Sequence, residues 1–198
     1  MKKYTVLALF AALMAVGGTL AANGLSATPF FIAESATKTL NSGMPITGHL
    51  TMVATDANGN IKAYRQTDNI VVSVGETCTG ARLFGSAAQC SPLGLFNNIA
   101  IGIGAGAEAD ANVALGAERN TRQTDATNTM TNSSGTGATS QIAGLFAFTA
   151  SYAISESGIF DSSGNGTGHM FARKLISPVV NVASGDSLTV TWTITTGS

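Results

Sequence analysis

The stretch Ser187 to Thr196 (SLTVTWTITT) alternates strictly, with Leu188, Val190, Trp192 and Ile194 on one side and threonines on the other. Successive side chains of a strand point to opposite faces, so this stretch predicts a strand with one face on an apolar core and a hydroxyl-bearing face outward. Ser184-Gly185-Asp186 before it reads as a turn. Further upstream, Pro178 to Val182 and His169 to Ile176 read as strands, and the glycines of Ser162 to Gly168 make a hairpin loop. Ile142 to Ile154 (IAGLFAFTASYAI) reads as one long strand.

Toward the N-terminus the pattern continues. His49 to Asp56 and Ile61 to Thr67 flank Asn58-Gly59, the dipeptide that supplies the positive φ angles of a tight hairpin. Asn69 to Val74 is rich in β-branched residues and predicts another strand. Glu76 to Phe84 predicts a short helix stopped by Gly85, and Asn98 to Gly104 a buried strand. Glu108 to Ala114 reads as loop, Leu115 to Arg122 as the start of a strand or turn, and Asn128 to Ser140 as a loop or exposed hairpin tip. Eight or more strands with at most one short helix predict an all-β fold, an antiparallel β-sandwich or jelly roll.

The chain begins with Lys2-Lys3 and a dozen mostly apolar residues, Thr5 to Val16, followed by Gly17-Gly18 and small residues up to Ala27. This is the layout of a secretory signal and is short for a membrane span. The expected organisation is a signal peptide over 1–27, an N-terminal extension or donor strand over 28–48, and a sandwich over 49–198. An extracellular or cell-surface location follows, with no membrane attachment after signal removal. Charged residues make up only 11% of the chain, against about 25% in typical domains. A neutral surface suits subunits that pack against copies of themselves, because few charges need desolvation. Loss of Lys2 and Lys3 with the signal takes the net charge from −1 to −3. No basic run follows, which argues against nucleic acid as a partner.

Cys78 and Cys90 are the only cysteines, and in an exported chain they predict one disulfide. Asn132-Ser133-Ser134 and Asn165-Gly166-Thr167 match the N-glycosylation sequon. Gly102, Gly104 and Gly106 spell GxGxG without the helix a dinucleotide site requires. Asp56 to Asn60 resembles the start of a calcium loop, but Thr67 stands where the closing acid belongs, so a hairpin turn is expected. Asp161, Asn165, Glu108 and Asp110 read as solvated loop residues rather than calcium ligands. His49 and His169 read as ordinary surface positions, and Glu108, Glu118 and Glu156 form no recognisable glycosidase pair. No metal, no cofactor and no catalytic residue is expected, and a secreted hydrolase has no motif behind it.

His49 to Asn69 and Ile154 to Thr195, above all Ser155 to Asp161 (SESGIFD), Met170 to Arg173 (MFAR) and Gly185 to Thr195 (GDSLTVTWTIT), resemble β-rich surface-filament and tail-fibre-like structural proteins of archaea and their viruses or phages. The resemblance covers roughly a third of the chain and implies a β-sandwich with an exposed sheet edge. Some such filament subunits polymerise by donating an N-terminal strand to a neighbour. The matching position here is Thr28 to Leu40, with Phe30, Phe31 and Ile32 as anchors. The expectation is therefore a non-enzymatic, pilus-like subunit whose partners are copies of itself. The alternative is a surface adhesin or virion-fibre-type module that binds a cell-surface ligand through the loops at 105–140 and 161–168.

Overall fold

A computed structural model of the chain describes residues 45–85, 88–92, 94–125, 129–133 and 137–197, with 132 and 133 by backbone alone. The expected signal peptide and the anchors Phe30, Phe31 and Ile32 lie outside the described residues. The strands are β1 (Ile46–Thr55), β2 (Ile61–Asp68), β3 (Ile70–Val71), β4 (Asn98–Gly102), β5 (Glu118–Thr124), β6 (Thr129–Ser133), β7 (Gly137–Ala147), β8 (Tyr152–Phe160), β9 (Met170–Val182) and β10 (Ser187–Thr196). Among the described residues, one helix, α1 (Ser73–Phe84), and one 3-10 turn, Ala88–Cys90, interrupt them. Two antiparallel sheets result, ordered β2-β1-β10-β7-β6 and β3-β9-β8-β4-β5. The all-β sandwich read from the sequence is the observed fold.

β10 sits at the middle of the first sheet, between β1 and β7. Its alternation is realised as written: Leu188, Val190, Trp192 and Ile194 are buried. They pack between the sheets with Leu50, Met52, Ile142 and Phe146 from the first sheet and Ile99, Ile101, Ile154 and Ile159 from the second. Trp192 reaches across the core, where its Nε1–H donates to Ser157 Oγ at 3.2 Å while that hydroxyl donates to the Ala100 carbonyl at 2.9 Å. A buried indole N–H needs such a partner.

The hairpin forms as expected, and β1 starts at Ile46, earlier than the predicted His49. Asp56 Oδ1 accepts the N–H groups of Asn58 and Asn60 at 2.9 and 2.8 Å, and Gly59 takes φ +87°. These bonds fix the hairpin turn.

Two strand expectations are corrected. Asn69 to Val74 does not run on as a strand. Only Ile70 and Val71 pair, with Arg173 and Ala172 of β9, and α1 begins at Ser73. Val72 is still extended (φ −90°, ψ 154°) and donates its N–H to Phe171 O at 3.0 Å. The helix buries Gly75, Cys78 and Ala81, three small residues on one stripe, and Gly75 lies against the backbone of Phe171. Ile142 to Ile154 is two strands in different sheets, β7 and β8. The chain turns between them, and there Phe148 donates to Asp186 O at 3.0 Å and accepts from the Gly185 N–H at 2.8 Å. Within the stretch expected as loop or hairpin tip, Thr129–Ser133 forms β6 and Gly137 begins β7, paired as Thr129 to Gln141 through Ser133 to Gly137.

Candidate functional site

Three clusters of charge lie along the second sheet, and each holds a loop. Glu156 leaves β8 on the face opposite to Ser157 and Ile159, away from the inter-sheet core, and is 0% exposed beneath the connection from β4 to β5. Its Oε1 accepts the N–H groups of Gly104 (2.8 Å) and Ala117 (2.9 Å), and its Oε2 accepts that of Gly116 (3.0 Å). Arg173 on β9, 3% exposed, adds Nη2 and Nε at 2.8 and 3.2 Å from Oε2. The same guanidinium donates to the carbonyls of Gly106 (2.9 Å) and Ala107 (3.1 Å) and to Asn112 Oδ1 (2.8 Å). Burial pushes the Glu156 carboxyl up, but the three amides and Arg173 outweigh it and hold it below the usual glutamate range. The pair thus ties down the connection from β4 to β5. The glycines belong to it: a Cβ at Gly102 would stand 2.5 Å from Glu156 Oε1, and one at Gly104 would meet the same oxygen. GxGxG is carved around a carboxylate here, not around a phosphate.

The second cluster is Glu118 and Arg122 on β5. Arg122 Nε and Nη2 lie 2.7 and 3.0 Å from the Glu118 carboxylate, and Nη1 donates to the carbonyls of Ser162 and Thr167, both at 2.8 Å. Its guanidinium stacks 3.7 Å above the Phe160 ring. In the third cluster, Asp161 accepts the His169 N–H (2.6 Å) and lies 2.8 Å from His169 Nδ1 and 3.3 Å from Arg82 Nη2. Arg82 also donates to Gly94 O and stacks on Phe96 at 3.9 Å. A cleft of about 320 Å³ opens here, lined by Pro92, Gly94, Asp161, Ser162, Gly168 and His169 among others.

Several sequence readings change accordingly. Asp161 is not a solvated loop residue; its side chain is 2% exposed. Glu108 accepts the Leu175 N–H at 2.7 Å and pairs with Lys174 at 3.0 Å. His169 is three-quarters or more covered and bonded to Asp161, not an ordinary surface position. His49 pairs with Asp68 at 2.9 Å. Cys78 and Cys90 form the disulfide, S–S 2.11 Å, joining α1 to the 3-10 turn. Asn165 sits in the exposed 161–169 loop, where its Nδ2 donates to Asn120 O at 2.7 Å. Asn132 lies on β6 opposite Ala138. The Glu156–Arg173 pair went unread. Its signal was the single acid of Ile154 to Phe160 and the adjacent bases Arg173 and Lys174 between Met170 and Val182, each inside an otherwise apolar or neutral strand.

The outer face of the first sheet is built differently. The register aligns Tyr64, Val53, Thr189 and Leu145 in one row across β2, β1, β10 and β7. The next row is Gln66, Thr51, Thr191 and Ala143. Tyr64 is 52% exposed and Leu145 59%. On β1, β10 and β7, no outward position from Thr47 to Thr55, Ser187 to Thr195 or Thr139 to Ala147 holds Asp, Glu, Lys or Arg.

Together these features define an antiparallel, two-sheet β-sandwich with one disulfide-linked helix. Comparison with family models, with curated proteins and with solved structures finds no match to the chain. Among the described residues, no helix is long and apolar enough to cross a membrane, and no three His, Cys, Asp or Glu side chains gather as metal ligands.

Proposed function

We propose that this chain is a secreted structural subunit of a pilus-like extracellular filament, built from copies of itself by β-strand addition. The observation that carries the reading is the outer edge of β9. This strand has 13 residues and pairs with β8 on one side, while on the other side β3 covers only Ala172 and Arg173. Side chains cap two further backbone groups: Glu108 takes the Leu175 N–H, and Arg65 Nε donates to Pro178 O at 3.1 Å. Among the described residues, no strand pairs with that edge from Ile176 to Val182. An extended segment from a neighbour would satisfy such an edge and set alternate side chains against the sandwich. Thr28 to Leu40, with Phe30, Phe31 and Ile32, has the composition of the donor. The secretory pattern at the N-terminus agrees, and Asn165 and Asn132 would be glycosylation positions on an exported chain.

Deleting Thr28 to Ala36 tests this directly. The expected product is a folded, soluble monomer with no filaments in negative-stain images, while the parent forms them. An unfolded product would make the segment the first strand of its own domain and overturn the reading.

A second reading, a surface adhesin or virion-fibre-type binding module, is favoured by one observation. Arg122, Glu118 and Asp161 hydrogen-bond the 161–169 loop beside a cleft. A discrete small oligomer in size-exclusion chromatography would support this module instead.

A further inference from the structure

We infer that the outer face of β2-β1-β10-β7 is a second interface between copies of this chain, packed sheet against sheet about a two-fold axis. The inference rests on the self-assembly proposed above and adds a contact that strand addition does not supply. Size comes first. Four strands about 4.8 Å apart, each of about ten residues rising about 3.3 Å, make a rectangle of roughly 19 by 33 Å. That is roughly 600 Å² on each copy and about 1,200 Å² in total, the lower bound for a stable specific interface.

Charge chooses the occupant. Phosphate or an acidic surface would need a cation, and the central strands offer none facing outward. The strands β1, β10 and β7 of a second copy bring no Asp, Glu, Lys or Arg either, so they meet without stranding a buried ion. The polar atoms they bring are mainly threonine hydroxyls, which both donate and accept and so can satisfy one another. The ionisable groups that β2 brings, Asp68 paired with His49 and Lys62 paired with Asp186, lie toward the two ends of that strand, where an interface rim is polar.

Shape fixes the geometry. The row Tyr64, Val53, Thr189, Leu145 is large at both ends and smaller in the middle. A two-fold axis along the strands, between β1 and β10, exchanges β2 with β7. It places Tyr64 of one copy over Leu145 of the second at both ends of the row, with Val53 over Thr189 between them. Aligned sheets pack in this way, offset by about 30° through their twist.

The test uses the full exported chain, followed by sedimentation velocity across a concentration series. Leu145→Glu should weaken self-association about a hundredfold or more, because each dimer would bury two unpaired carboxylates. At protein concentrations low enough for both to be monomeric, its melting temperature should match the parent's, since Leu145 faces solvent in the single chain. Combining Tyr64→Asp with Leu145→Lys should restore association, because the two-fold axis sets the new charges opposite each other. If Leu145→Glu associates as the parent does, this interface is wrong while assembly by strand addition stands. If Tyr64→Asp and Leu145→Lys each weaken association alone and their combination does not recover it, the two-fold placement is wrong. A parent chain that never associates would instead sink the self-assembly reading itself.

Discussion

Glu156 and Arg173 lie side by side under the second sheet, fully enclosed, with the carboxylate accepting five hydrogen bonds from three amides and one guanidinium. Across the core, the outward positions of β1, β10 and β7 carry threonine, serine, alanine, glutamine, valine, leucine and His49, and no Asp, Glu, Lys or Arg. The contrast is one of task. In the second sheet, ion pairs replace the missing regular structure: they satisfy the backbone of connections too long for turns and too irregular for strands. In the first sheet β1, β10 and β7 are long and laddered along their length, and their outward positions hold no Asp, Glu, Lys or Arg. A chain with few charged residues places them where loops need them.

The largest effect should come from breaking the buried pair. Glu156→Gln turns an acceptor into a donor facing N–H groups and leaves Arg173 buried without its counterion, which costs about 3–5 kcal/mol. Urea unfolding reads this as a lower midpoint. Acid sharpens the point. Because the folded state holds the Glu156 carboxyl below its ordinary range, its contribution is complete above that range and is lost as pH falls through the depressed value. The parent should therefore lose stability below about pH 4.3, and the Gln variant should show a shallower acid limb.

Next comes the disulfide that ties α1 to the 3-10 turn. Replacing Cys78 and Cys90 with serine, or reducing them, should lower stability by about 3 kcal/mol through the loop it closes, measured as a thermal shift with and without reductant. Third, Gly104→Ala pushes a methyl into Glu156 Oε1 and should cost about 1–3 kcal/mol. Gly106→Ala meets nothing within 4 Å and should stay within about 0.5 kcal/mol. Equal effects at the two glycines would break the claim that the carboxylate shapes this segment. Smallest of all, Leu145→Glu on the neutral face should change unfolding by no more than about 0.5 kcal/mol while changing association.

Where local pattern and final packing agree, the sequence was readable. β10 and the Asn58-Gly59 hairpin have clean periods and turn chemistry, and both form as expected. The failures share a cause. Ile70 to Val74 looks like a strand because β-branched residues favour one, yet the helix wins from Ser73 because Gly75, Cys78 and Ala81 let it lie close on β9. Ile142 to Ile154 keeps its buried residues at even positions through the turn, so nothing in the period marks the crossing between sheets. Glu156 was invisible as a site because its partners lie far along the chain, at Gly104, Gly116, Ala117 and Arg173. The neutral composition was legible, but its concentration on one face needed the register.

β1 begins at Ile46 directly opposite Thr196, the last residue of β10. Tension applied between the two chain ends would therefore open that ladder like a zipper, one rung after another. Tension entering through the N-terminal segment and leaving through β9 would instead load the β1 rungs together, in shear against β10 and β2. A filament strung in the second way resists stretching with the same bonds that yield easily in the first. Optical-tweezer pulling from the two attachment pairs should give clearly separated rupture forces, and equal forces would refute this.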